Sequence, residues 1–155
     1  MKTLTVQYDQ SLVEKWRIGN LSSNWKKKYP DLFDADDLRI ALTQPSYHFA
    51  EWIAAIYFYK QGYKILVEQY IYAPHVRKLA IIKEKLGDKG LAFLRRKEIG
   101  GKVQPPDLFI YNEKKFFFAE VKTPKDRLRE LQKKFFEEIE KYFSTTVKIV
   151  NLINK

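Results

Sequence analysis

Cysteine is absent from the 155 residues, so there is no disulfide framework and no thiolate metal site, and a zinc finger is excluded. Histidine is scarce: His48 and His75 are the only two, their spacing suggests no ligand pair, and both are read as structural. Long apolar runs are missing too. The longest candidate, residues 52–59, is too short for a membrane span and ends at Lys60. Met1-Lys2-Thr3-Leu4 lacks the apolar stretch of a secretory signal, and no internal repeat or low-complexity linker interrupts the chain.

Acidic residues are outnumbered. Nineteen Asp and Glu face 29 Lys and Arg, a formal charge of +10. A polyanion is the natural partner for such a surface, because neutralising phosphates releases condensed counterions. Nucleic acid is therefore the expected partner, with no membrane contact, although charge alone does not separate an enzyme from a passive binding module. Aromatic residues are plentiful, with 10 Tyr, 11 Phe and 3 Trp, which argues for a folded globule of about one domain.

Residues 1–44 are the least readable and are set aside as an N-terminal extension. Within them, Asp31, Asp34, Asp36 and Asp37 precede Leu38-Arg39-Ile40-Ala41-Leu42, which fits either a strand or a helix start. Residues 47–59 read as a helix buried over much of its circumference, and Gly62 marks its stop. Residues 64–72 are rich in β-formers and predict a strand. Pro74 is placed to open a second helix with Val76, Leu79, Ile82 and Leu86 as its apolar stripe and Gly87 as its end, within a helical insert over about 74–104.

Pro105-Pro106 leads into a strand at 107–111, and Asn112-Glu113-Lys114-Lys115 connects it as a hairpin to a strand at 116–122. Asp126 is the expected N-cap of a long helix with Leu128, Leu131, Phe135, Ile139 and Tyr142 at helical spacing, and residues 145–152 close the chain as a strand. The order predicts an α/β domain over 45–155, with a central mixed β-sheet flanked by helices.

The chemistry gathers at the hairpin. Residues two apart in a strand share a face, so Glu120 and Lys122 project together while Ala119 and Val121 pack behind them. Counting back from the turn puts Asp107 opposite Glu120. Two like charges on adjacent strands repel, and a cation between them removes that cost. Asp107 and Glu120 thus offer hard oxygen ligands for Mg²⁺ (or Mn²⁺), with the backbone carbonyl of Val121 as a further ligand and Lys122 beside the attacking water. An isolated Glu-x-Lys is common, but Phe116-Phe117-Phe118 ahead of it is apolar on both faces, as in a central strand, and charges at its end need a reason.

Pro106-Asp107-Leu108, then Glu120-Val121-Lys122-Thr123-Pro124-Lys125-Asp126-Arg127-Leu128, then Gln132 resemble the pattern of the VRR-NUC nucleases, of the PD-(D/E)xK, restriction-endonuclease-like group. Thr123 replaces a usual glycine, and Pro105 stands where glycine often precedes Pro-Asp. The resemblance implies a restriction-endonuclease-like core with Asp107, Glu120 and Lys122 catalytic. It adds two residues: Glu51, because family members carry a helical Glu near the metal, and Gln132, which braces the site or meets a phosphate. It further implies a metal-dependent endonuclease for branched, flapped or Holliday-junction DNA, working as a homodimer. A chain of this composition that acts on DNA is expected inside the cell, in the cytoplasm. Arg95, Arg96, Lys97, Lys125 and Arg127 surround the motif in sequence and are the candidate phosphate contacts. A non-catalytic nucleic-acid-binding module and a subunit of a restriction or transposition system are the rival readings.

Overall fold

Three consecutive phenylalanines, Phe116-Phe117-Phe118, cannot be hidden on one face alone, and the strand that carries them runs through the middle of the sheet. The computed structural model describes residues 1–96 and 103–155. In chain order its elements are β1 (Lys2–Tyr8), α1 (Ser11–Arg17), α2 (Asn20–Lys28), α3 (Ala35–Thr43), α4 (Phe49–Tyr59), β2 (Lys64–Val67), α5 (Val76–Leu94), β3 (Leu108–Tyr111), β4 (Phe116–Lys122), α6 (Glu130–Phe143) and β5 (Val147–Asn154). The sheet order is β1-β5-β4-β3-β2. The β2–β3 and β3–β4 pairs are antiparallel, whereas β4–β5 and β1–β5 are parallel. This is the α/β, restriction-endonuclease-like architecture expected, a mixed sheet with helices on both sides.

Alternation along the central strands separates two cores. Ile65, Val67, Leu108, Ile110, Phe117, Ala119 and Val121 pack with Trp52, Ala55 and Phe58 of α4. Leu66, Phe109, Tyr111 and Phe118 point the other way, onto Phe135, Phe136 and Ile139 of α6 and Ile82 of α5. By the same parity Glu120 and Lys122 lie on the α6 side, where the side chain of Gln132 reaches Glu120.

Residues 1–44, expected as an extension, supply the outermost strand and three helices to this sheet and its first core. Phe33 is fully buried and stacks on Trp52, with ring centroids 3.6 Å apart. Phe33→Ala is therefore expected to cost about 3–5 kcal/mol in urea unfolding, and a loss below about 1 kcal/mol would place this segment outside the cooperative core.

Several boundaries differ from expectation for identifiable reasons. Leu38–Leu42 lies inside helix α3, because Asp34 and Asp37 exchange side-chain hydrogen bonds with each other's backbone N–H and cap it. The strand predicted over 64–72 ends at Val67, where Glu68 and Gln69 turn into left-handed backbone at φ 52° and 50°. The insert helix does break at Gly87, with φ 73° and ψ 174°, but helical structure resumes beyond it to Leu94. Asp126 does not cap α6. Its carboxylate instead accepts from the backbone N–H and hydroxyl of Thr123, and the helix begins at Glu130.

Candidate active site

Tyr111 stands opposite Phe116 and Leu108 opposite Ala119, so the next pair along the ladder is Asp107 and Glu120. The two side chains lock this end of the hairpin. Glu120 Oε1 accepts the backbone N–H of Asp107 at 3.1 Å, and Asp107 Oδ2 accepts the backbone N–H of Val121 at 2.9 Å. Tyr70, buried beside them, donates its hydroxyl to the carbonyl of Pro106 at 2.6 Å and fixes the turn into Asp107.

Glu120 is only 5% exposed and its other oxygen is held as well. Lys122 Nζ and Gln132 Nε2 each lie 3.1 Å from Glu120 Oε2. The Gln132 amide is oriented from behind, because its Oε1 accepts the N–H of Arg129 at the start of α6. Glu120, Lys122, Gln132, Asp107 and Val121 thus meet at one end of the β3–β4 hairpin.

Glu51 joins them from the first turn of α4, together with two residues that the sequence reading left out. His48 Nδ1 and Glu68 Oε2 are 2.5 Å apart, and one ligand atom from each of His48, Glu51 and Glu68 lies within 4.8 Å of the others. The sequence reads His48 as structural, yet His48 and Glu51 are three apart across the start of one helix, a spacing that faces both the same way. Glu68 falls inside the strand expected over 64–72; a charge ending the buried run Ile65-Leu66-Val67 is the signal, as at Glu120.

Four carboxylates in one half-buried cluster strain one another electrostatically. Burial, then the charges of Glu120 and Glu51, push the Asp107 carboxyl well above the usual carboxylate range. Burial and the charge of Glu68 raise Glu51 to about 7. Burial works against the charged form of His48, but the hydrogen bond and charge of Glu68 outweigh it and hold the imidazole above its ordinary value. Among the described residues, Lys122 and His48 are too few cations to balance Glu51, Glu68, Asp107 and Glu120. The excess of hard oxygen donors fits a divalent cation, which carboxylates bind readily.

The surroundings leave room for a ligand. A cavity of about 600 Å³ borders Asp107, Glu68 and His48 and is walled by Tyr72 and Pro105. A second of about 320 Å³ borders Glu51, His48, Val121 and Asp126.

The basic residues fare differently from the acidic ones. Arg95 donates through Nε and Nη2 to the carbonyl of Ile71, and Arg96 pairs with Glu138 at 2.8 Å and lies over the Phe93 ring. Both hold the insert to its neighbours. Lys97 lies outside the described residues. Lys125 and Arg127 are exposed on the segment between β4 and α6, next in sequence to the cluster.

An α/β sheet with this carboxylate–lysine end defines a PD-(D/E)xK-type nuclease domain. Residues 44–149 match the family described as the VRR-NUC domain, and the chain belongs to that family. No curated protein and no solved structure matches it. Among the described residues no helix is long and apolar enough to cross a membrane.

Proposed function

We propose that the protein is a divalent-metal-dependent endonuclease that hydrolyses phosphodiester bonds in DNA, with a preference for branched, flapped or four-way structures. The observation that carries this reading is the meeting of Asp107, Glu120 and Lys122 at one end of two paired strands, in a site with more carboxylates than cations.

Asp107 and Glu120, with the Val121 carbonyl, would hold a Mg²⁺ or Mn²⁺ ion, with Glu51 of α4 beside them in the cluster. Bound there, such an ion would supply a Lewis acid for the scissile phosphate and lower the pKa of the attacking water. The protein's own groups do the rest. Lys122 swings its amine between Glu120 and a non-bridging phosphate oxygen and orients the water. Gln132 keeps Glu120 aimed by bonding the oxygen that Lys122 shares. Lys125 and Arg127 take phosphates flanking the cut, and the two cavities receive the strand on either side of His48. A homodimer fits the two-fold symmetry of a four-way junction.

Incubation with labelled linear, flapped and four-way DNA, with Mg²⁺ and with EDTA, tests this directly. Cleavage with Mg²⁺, fastest on branched substrates and lost with EDTA, is expected; cleavage indifferent to the chelator would overturn the metal assignment. Lys122→Met is expected to leave DNA affinity within about twofold while lowering kcat by about a hundredfold or more. An unchanged kcat removes Lys122 from the reaction.

A further inference from the structure

Lys78, on α5, is 1% exposed and lies among oxygens. Its Nζ donates to Asp37 Oδ1 at 2.5 Å, to the carbonyl of Val67 and to the carbonyl of Glu68 at 3.1 Å. An ammonium has three N–H bonds, and each finds an acceptor here. Asp37 is itself 5% exposed, and its second oxygen accepts the N–H of Asp34 at the start of α3. A buried ion pair commonly stabilises a fold no better than apolar side chains of the same size, so this one calls for another reason.

The two carbonyls supply it. They belong to the point where β2 leaves the sheet and the backbone of Glu68 and Gln69 enters the left-handed region, which residues with a Cβ rarely occupy. Such a conformation persists only where the surroundings over-determine it. At Glu68 they do. Its N–H donates to the carbonyl of Asp107 at 2.8 Å, its carboxylate meets His48, and its carbonyl is held by Lys78.

We propose that Lys78 and Asp37 are positioning residues for the nuclease site: the buried pair clamps the Glu68–Gln69 turn so that Glu68, and through it His48, faces the carboxylate cluster. The inference rests on the nuclease reading above. Asp37 lies outside the matched residues 44–149, so the segment ahead of the family domain helps to build the site.

The double variant Asp37→Leu/Lys78→Met replaces the pair with apolar side chains of similar size and strands no charge. It is expected to keep the native circular-dichroism spectrum and KM for DNA. Its kcat and its calorimetric Mn²⁺ affinity should each fall about 10–100-fold. Amide exchange at Glu68 should accelerate while that at Phe118 stays slow. Glu68→Gln should lower kcat in the wild-type background and cost nothing further in the double variant, since both changes act through one carboxylate. Wild-type kcat and Mn²⁺ affinity in the folded double variant, or losses that simply multiply, overturn the proposal. Should the double variant not fold, Asp37→Asn keeps the shape and an oxygen facing Lys78 but removes the counter-charge. A loss that again vanishes with Glu68→Gln supports the clamp, and an unchanged rate and affinity overturn it. A wild-type protein that neither cleaves DNA nor binds Mn²⁺ would sink the nuclease reading instead. Exchange at Glu68 still decides the clamp in that case: acceleration in the variant supports it, and no change overturns it.

Discussion

Asp107→Asn is expected to abolish DNA cleavage while making the metal-free protein more stable. Asparagine keeps an oxygen for the Val121 N–H and fills the same space, so the hairpin end has no reason to rearrange. What it lacks is the charge that the site forces on itself. The Asp107 carboxyl titrates well above the usual range because of burial and then of Glu120 and Glu51. For a group whose pKa is raised on folding, the stability it contributes is present at low pH and is lost as pH rises through the folded-state value. Above the ordinary carboxylate range, and without metal, the wild type therefore bears an electrostatic cost at Asp107 that the variant lacks. A gain of about 1–2 kcal/mol, or about 3–8 °C in unfolding temperature for a chain of this size, should appear together with a loss of cleavage of about a thousandfold or more. Thermal unfolding in EDTA and a cleavage assay in Mg²⁺ measure both arms. Lower stability with cleavage retained would make Asp107 a bracket for Val121 and nothing more.

The second large effect links pH, metal and stability. In EDTA, stability should fall as pH rises from about 4.5 to about 7, the ordinary and folded-state values for Glu51. That gap corresponds to ~3 kcal/mol when the carboxylate is fully charged. His48 acts in the same direction, since its raised value means that the proton it loses on the way up was a stabilising one. Mg²⁺ or Mn²⁺ should reverse the loss. An ion at a hundred times its dissociation constant adds about 2.7 kcal/mol, and the gain should grow with pH because deprotonated ligands bind better. Ca²⁺, which prefers more ligands and longer bonds, should stabilise the protein yet restore cleavage poorly. Calorimetric scans across that pH range, with and without Mn²⁺, settle the point; a metal effect equally large at low and high pH would mean that the ion binds elsewhere.

The part of the site that was legible in the sequence is the part made of short-range structure. The four-residue connection at 112–115 sets the register of β3 on β4, and that register alone carries Asp107 to the level of Glu120. Alternation then assigns Glu120 and Lys122 to one face. What could not be read depends on distant or unusual backbone. Glu68 sits in a left-handed turn with no glycine or asparagine at either position to announce it. Strand β1 pairs in parallel with β5 across nearly the whole chain, and no local pattern encodes such a partner. Lys78 neighbours the apolar stripe of its helix, where lysine ordinarily reaches water, and its burial became visible only with Asp37 and the β2 carbonyls around it. Arg95 and Arg96 are candidate phosphate contacts by their place around the motif in sequence, and their bonds to Ile71 and Glu138 depend on the fold and carry no local signal.

Anomalous diffraction from crystals soaked in Mn²⁺ locates the ion without depending on substrate choice. A peak bonded to carboxylate oxygens of both Asp107 and Glu120, at about 2.1 Å, is expected in the wild type and should vanish in Asp107→Asn. Ordered crystals with no peak between those two side chains, or with the ion seated somewhere that neither touches, would contradict the metal assignment.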